Sequence, residues 1–414
     1  MTLNRVVVTG LSAITPIGND LATSWANLVA GVSGAAPITR FDASAFDTRF
    51  GCEVKNFDEK PYIAAKLAKR LDRFTIYALS AAMMLMEDAG WKIPADEAEL
   101  VSVIVGCGMG GIETLEATHS KLLEQGPSRI SPFFIPTMIA NMAAGQISIA
   151  TGARGSNVCT TSACASGLHG IGYAYSDIKL GRAVAAICGG VESTITPLAV
   201  GGFNALKALS TRNDDPTKAS RPFDAGRDGF VIGEGCGLLL LESLEHAQAR
   251  GARILAEVAG FGASGDAYHM TAPPEDGSGM ALAMKAALRE AGMAPTEIAH
   301  INAHGTSTSL NDACETTAIK SLMGDHAYKV PITSNKSMIG HCLGAAGGIE
   351  SVVSVKTIVE GVIPPTINYE TADPACDLDC TPNVARKQAV ANVLCNSFGF
   401  GGTNASLLFK AFAQ

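Results

Sequence analysis

An α/β fold assembled from two similar halves is the architecture this sequence predicts, and three observations carry it. Continuous apolar strands alternate with amphipathic helices along the chain, the pattern of sheets covered by helices. The order of elements also repeats. A helix ending Met86-Glu87-Asp88-Ala89-Gly90, a strand from Val101 to Val105 and a glycine turn are echoed by a helix from Met280 to Glu290-Ala291-Gly292, a strand from Ala299 to Asn302 and the turn Ala303-His304-Gly305-Thr306. Finally, 44 glycines with only 6% aromatic and 17% charged residues suit helices and loops that approach closely. At 414 residues and 47% hydrophobic content the chain can bury a large core. The predicted halves are residues 1–255 and 256–414, with an active site where they face each other.

Taken in order, Arg5 to Thr9 reads as a strand that Gly10 ends. Pro16 to Asn19 is a turn, and Asp20 caps a helix through Ala30. From Ile63 to Phe74 the pattern is that of one amphipathic helix, with Ile63, Leu67, Leu71 and Phe74 on one side. Lys66, Lys69, Arg70 and Arg73 fall at i, i+3, i+4 and i+7 on the other. That face is either ordinary solvated surface or a docking patch for an acidic partner. Gly106-Cys107-Gly108-Met109-Gly110-Gly111 matches the dinucleotide fingerprint and lies between a strand and a helix. Yet no second strand ends in an acidic residue about 20 positions on, and Glu124 falls there only in a polar helix end. Nicotinamide or flavin binding is disfavoured.

The net charge of −8 argues against nucleic acid. Eleven cysteines are scattered without paired spacing and no signal peptide precedes them, so reduced thiols in a cytoplasmic protein are expected. Cys376 and Cys380 are followed by no second ligand pair, which disfavours a zinc site. No apolar run reaches the ~18 residues of a membrane span.

The stretch Thr160 to Gly167 carries the strongest chemical signal. Asn157 to Thr160 reads as a buried strand. The helix that follows has Leu168, Ile171, Tyr175 and Ile178 on one face and Gly181 at its stop. Cys164 thus sits at a strand-to-helix turn, where the helix N-terminus favours a thiolate. Ala163, Ala165, Ser166 and Gly167 leave room for a substrate. Alone, such a cysteine is more often a core residue than a nucleophile. Three further motifs stand beside it. One is Asn302 to Thr308, which delivers His304 at a strand end. Another is Lys336 and His341, five residues apart across a turn that opens a small-residue helix from Leu343 to Val359. The last is the glycine loop Asn396 to Asn404. A phosphate cradle should lead into a helix, and Ala405 to Phe409 is a strand, so a glycine hairpin is the better reading.

TSACASG around Cys164, NAHGTST around His304, NKSMIGH ending at His341 and NSFGFGGTN near the C-terminus occur in this order. In these motifs, and over essentially its whole length, the sequence resembles the β-ketoacyl-acyl-carrier-protein synthases of the thiolase-like superfamily, most closely the elongating type II enzymes of bacterial fatty-acid synthesis. The resemblance implies a five-layer α/β/α/β/α fold and a decarboxylative Claisen condensation. Cys164 would take an acyl group as a thioester whose oxygen is held by the N–H groups of Cys164 and Phe400. His304 and His341 would hold the malonyl thioester oxygen. Lys336 and Glu350 match the family's buried pair, which tunes His341 and orders the site. Thr306 and Thr308 would bond the pantetheine arm, and Met109, Phe398 and Gly399 would contact substrate, with Phe400 as a ring gating the thioester. Lys66, Lys69, Arg70, Arg129 and Lys207 would dock the carrier protein. The resemblance also implies a homodimer with a strand near Asn157 to Thr161 at the interface, acyl- and malonyl-loaded acyl carrier protein as partners, and no metal or redox cofactor.

The Cys-His-His set separates this group from type III synthases, which use Cys-His-Asn, and from thiolases, which carry a second catalytic cysteine. Cys395 raises the latter, but NSFGFGGTN fits the elongating synthases. Cys342 after His341 and Met109 in the pocket are departures, the second blurring chain-length preference. The alternatives are a ketosynthase of a polyketide or secondary lipid pathway, a dinucleotide-dependent oxidoreductase, which a null NADH titration would dismiss, and a non-catalytic acyl-binding subunit, which the intact Cys-His-His set disfavours.

Overall fold

The computed structural model describes residues 3–413. Ten strands form one sheet: β1 Val6–Ile14, β2 Val101–Gly106, β3 Asn157–Thr160, β4 Ala185–Glu192, β5 Gly235–Ser243, β6 Ala256–Gly265, β7 His300–Asn302, β8 Ile332–Thr333, β9 Asn392–Gly399 and β10 Thr403–Lys410. The order across it is β8-β7-β9-β10-β6-β1-β5-β4-β2-β3. Read outward from the centre, the first half runs 1-5-4-2-3 and the second 6-10-9-7-8. The directions repeat as well. In each half the first two pairings are antiparallel and the last two parallel. Within the sheet, among the described residues, the halves join where Val6–Val8 pairs antiparallel with Ala256–Val258. The repeat read from the sequence is therefore a repeat of topology.

Helices complete the layers: α1 Leu21–Val29, α2 Ala65–Ala68, α3 Arg73–Asp88, α4 Ile112–Gln125, α5 Met142–Thr151, α6 Ser166–Lys179, α7 Ser278–Ala291, α8 Ser309–Met323 and α9 Ala346–Glu360. Phe74, Tyr77 and Leu85 of α3 and Ile147 of α5 pack on the outer face of the first half. Met284 and Leu288 of α7 and Ile319 of α8 do the same for the second. Between them, Leu168, Ile171, Tyr175 and Ile178 of α6 share a core with Val352 and Val355 of α9 and with residues of both half-sheets. The layers are thus α/β/α/β/α. Each fully buried apolar side chain of α6 contributes about 2 kcal/mol. The N-terminal ends of α6 and α9 meet at glycine: a Cβ on Gly167 would lie 2.8 Å from the Gly344 carbonyl oxygen and 2.8 Å from the Gly348 nitrogen. This contact brings the nucleophile turn against the segment that follows His341.

Asp20 caps α1 as expected, accepting from Thr23 N at 2.7 Å. Three expectations need correction. β1 does not end at Gly10; it shifts register between Val8 and Gly10 and continues to Ile14. The helix expected from Ile63 to Phe74 is broken, because Asp72 is extended and accepts from Phe74 N at 3.3 Å, capping α3. A helix start had been hidden inside an unbroken periodicity. And β3 is an edge strand, not a buried one: it pairs with β2 alone, and Val158 is 45% exposed. No helix among the described residues is long and apolar enough to cross a membrane.

Candidate active site

Chain geometry at the end of β3 presents Cys164. Ala163 takes a positive φ of 50°, which turns the chain sharply before α6. Ser166 Oγ accepts from Ser162 N at 2.9 Å and donates to the Ala163 carbonyl at 2.6 Å, fixing the turn. The β9–β10 hairpin closes over it. Thr403 Oγ1 donates to the Ser162 carbonyl at 2.9 Å, and a Cβ on Gly399 would sit 3.1 Å from Cys164 N. Only glycine lets this hairpin approach so closely, which places the Phe400 main-chain N–H beside the sulfur.

The expectation of a low thiol pKa is not met. Burial pushes Cys164 up to about 12, against the opposing pull of the Lys336 charge and the N–H groups of Phe400 and Cys164. At 8% exposure desolvation outweighs the helix end. What the sulfur does have is a partner: His341 Nε2 lies 2.9 Å away. Leu343 N donates to His341 Nδ1 at 3.3 Å, which leaves the imidazole proton on Nε2. The main chain of His341 is clamped by the first half, donating to the Val231 carbonyl at 2.7 Å and accepting from Gly233 N at 2.9 Å.

His304 stands at the end of β7, edge-on to His341 with ring centroids 5.3 Å apart. Its main-chain N–H and that of Gly305 donate to the Glu315 carboxylate at 2.9 and 2.8 Å. Burial, reinforced by Lys336, holds both histidines well below the ordinary imidazole range, so both are neutral. Cys164, His304 and His341 each offer an atom within 4.8 Å of the others. A metal-binding histidine normally donates its second N–H to an acceptor. Here His341 Nδ1 accepts instead, and His304 Nδ1 is buried with no partner among the described residues. His341 therefore presents its Nε2 proton to the cavity.

That cavity, of ≈ 420 Å³, is lined by Met109, Thr306, Thr308, Phe398, Gly399 and Phe400 together with the Cys-His-His set. Thr306 Oγ1 lies 3.0 Å from Thr308 Oγ1, while Thr308 also caps α8 by accepting from Asn311 N. Lys336 and Glu350 form a fully buried ion pair behind the cavity. Burial raises the Glu350 carboxyl and Lys336 opposes the rise. Lys66, Lys69, Arg70 and Arg129 are exposed away from the cavity lining, and Arg70 stacks on Phe133 at 4.7 Å. Lys207 reaches the cavity rim and pairs with Asp47 at 3.0 Å. Arg73, on the same expected face, pairs with Glu113.

Sequence reasoning missed Glu315, Glu192 and Phe230, whose ring meets His341 edge-on at 5.3 Å. A signal existed for Glu315: with Asp312 and Ile319 it falls on the buried side of α8, where acidic residues need partners.

Comparison with known proteins fits this geometry. The family described as "Beta-ketoacyl synthase, N-terminal domain" matches residues 3–247, and "Beta-ketoacyl synthase, C-terminal domain" matches residues 255–370. The 3-oxoacyl-[acyl-carrier-protein] synthase 2 of Vibrio harveyi is 49% identical over 415 residues, covering 100% of both chains. That of a Synechocystis species is 52% identical over 408 residues, covering 99% of this chain and 98% of its own. A solved β-ketoacyl synthase from Burkholderia phymatum superposes with a TM-score of 0.92 at 36% identity, covering 99% of this chain and 100% of that one. A type II polyketide ketosynthase, solved in complex with its acyl-carrier protein and bound to the hexaketide, superposes at 0.91 with 36% identity and the same coverage. With its nucleophile, histidine pair and hairpin in one cavity and both domains matched, this chain belongs to the β-ketoacyl synthase family.

Proposed function

We propose that the chain is a 3-oxoacyl-[acyl-carrier-protein] synthase that elongates fatty acyl chains by decarboxylative Claisen condensation. The observation that carries this is the pair of neutral imidazoles facing one buried sulfur inside an apolar cavity. In the first half-reaction Cys164 Sγ attacks the thioester carbonyl of an acyl carrier protein. The new C–S bond forms as the carrier thiol leaves with the cysteine proton, and the N–H groups of Cys164 and Phe400 hold the tetrahedral oxygen. In the second, the C–CO₂ bond of malonyl carrier protein breaks and its electron pair becomes an enolate. Its oxygen is held by N–H donors of His304 and His341, each worth about 3 kcal/mol. The enolate carbon attacks the Cys164 thioester, the C–S bond breaks, Cys164 leaves as a thiolate that takes up one proton from solvent, and the 3-oxoacyl product departs on its carrier. Because both histidines resist protonation, they donate without becoming general acids.

Lys336 and Glu350 act behind the site, the lysine charge helping to keep both imidazoles neutral. Thr306 and Thr308 receive the pantetheine arm, and Met109, Phe398, Gly399 and Phe400 contact the acyl chain. Residues 1–255 and 256–414 serve as the two halves. Lys66, Lys69, Arg70, Arg129 and Lys207 attract the acidic carrier. The assembly is a cytoplasmic homodimer in which β3, whose outer edge is unpaired, meets its counterpart. Mass spectrometry after incubation with acyl carrier proteins of graded chain length tests the reading. It expects one acyl mass on wild-type protein, absent from Cys164→Ala; acylation of that variant, or of no cysteine at all, rejects it.

A further inference from the structure

Glu192 is the last residue of β4 and is fully buried. Among the described residues no lysine, arginine or histidine forms an ion pair with it; its oxygens are occupied by amides instead. Oε2 accepts from Gly108 N at 2.7 Å and from Gly344 N at 3.1 Å, while Oε1 accepts from Met109 N at 3.2 Å and from Cys107 Sγ at 3.4 Å. Those donors belong to two segments with different duties. Gly108 and Met109 line the cavity from the turn after β2. Gly344 follows Leu343, whose N–H orients the His341 ring and whose side chain lines the same cavity. The contact is tight. A Cβ on either glycine would lie 2.7 Å from Glu192 Oε2, and one on Gly344 would lie 2.4 Å from Gly108 N. Leu343 itself is held at a φ of 46°, a conformation that needs its surroundings to fix it.

We propose that Glu192 is a positioning residue that locks the Gly108–Met109 end of the acyl pocket to the His341–Leu343 turn, so that pocket depth and imidazole orientation are set together. This rests on the proposed condensation. A carboxylate is needed because only it offers acceptors on both oxygens. Glutamine at this position would turn its amide donors against two of the four groups now bonded to Glu192, whichever oxygen the amide nitrogen replaces. Unpairing buried donors costs enough to loosen both segments. The two consequences then run in opposite directions. A loosened Met109 turn admits longer chains more readily, and a loosened His341 turn holds the malonyl oxygen less well.

Glu192→Gln in the full-length protein tests this. Acyl loading of Cys164 from short- and long-chain carriers is followed by mass spectrometry, and malonyl carrier decarboxylation is followed separately. The long-to-short loading ratio is expected to rise about tenfold while decarboxylation falls about tenfold, the scale of one unpaired buried donor. A parallel fall in all three activities that tracks the melting temperature overturns the proposal, as does a change in only one readout or in none. If Glu192→Gln does not fold, Glu192→Asp keeps both oxygens one methylene further away. Its Gly108, Met109 and Gly344 amides should then lose hydrogen-exchange protection together. Independent loss, or none, overturns the coupling. Failure of the wild-type protein to load any acyl group would instead reject the condensation itself.

Discussion

His341 Nε2 and Cys164 Sγ, 177 positions apart in the chain, lie 2.9 Å from one another across the seam between the two halves. The direction of that hydrogen bond decides what each residue can do. Because Leu343 N donates to the far side of the ring, His341 presents a proton to the sulfur and cannot accept one there. A serine-protease style of activation, with histidine as the base, does not fit. In the condensation proposed above, the imidazole would support negative charge first on the sulfur and later on the enolate oxygen.

The two histidines should therefore separate in partial reactions. His304→Ala and His341→Ala should each lower malonyl decarboxylation by about 100-fold, the loss of one preorganised donor. Acyl loading should fall more in His341→Ala, which also removes the contact to sulfur, than in His304→Ala. Rapid-quench loading assays beside decarboxylation assays check this. If His304→Ala stops loading as completely as Cys164→Ala does, His304 is the activating base.

Met109 is 43% exposed and lines the cavity that contains Cys164. Its pliable side chain should yield to long acyl chains. Met109→Trp should block long chains by at least about tenfold, the effect of ~1.4 kcal/mol of steric clash, and spare short ones. Loading rates by chain length, measured with the melting temperature, decide the matter. Equal loss across lengths would mean a disturbed core.

A buried cluster far from the chemistry predicts the acid limit of stability. Glu242 is fully buried and binds Arg250 at 2.6 Å, His246 at 2.5 Å and the Thr9 hydroxyl. Burial works to raise its carboxyl, but these partners outweigh it and bring the pKa down to about 2 from an ordinary 4.5. A carboxyl depressed by folding adds stability above its unfolded pKa and loses it as pH falls toward the folded one. The shift corresponds to on the order of 3 kcal/mol. Glu242→Gln should cost about that much near neutral pH, and progressively less below the ordinary carboxylate pKa. Chemical denaturation across this range checks it; a penalty independent of pH would place the effect in packing. His246 acts in the opposite sense. Its pKa is raised chiefly by the bond to Glu242, so its contribution is whole below the ordinary imidazole pKa and fades as pH rises through the folded one.

Much of this was legible in the sequence, for physical reasons that differ by element. The strand-turn-helix around Cys164 could be read because small residues and a 3.6-residue apolar repeat leave few alternatives, and α6 buries the four residues assigned to its face. The duplication could be read because each half must end similar helices before similar strands. Burial at the sheet edge could not: Val158 looks like core by composition, and only the strand order shows that, among the described residues, no further strand pairs beyond it. Nor could the state of the Cys164 thiol, since a helix N-terminus is local while desolvation depends on the whole cavity. The carboxylates Glu192 and Glu315 were hidden for a related reason. Most of their partners are main-chain amides, which carry no sequence signature.

In the proposed reaction Cys164 serves acyl transfer while the histidine pair serves decarboxylation, and Cys164→Gln separates the two roles. The glutamine amide imitates the carbonyl of an acylated cysteine and leaves His304 and His341 in place. Release of CO₂ from malonyl carrier protein, measured for this variant with no acyl donor present, should match or exceed that of the wild type while 3-oxoacyl product is absent. Loss of CO₂ release together with condensation would mean that the histidine pair cannot decarboxylate without the cysteine.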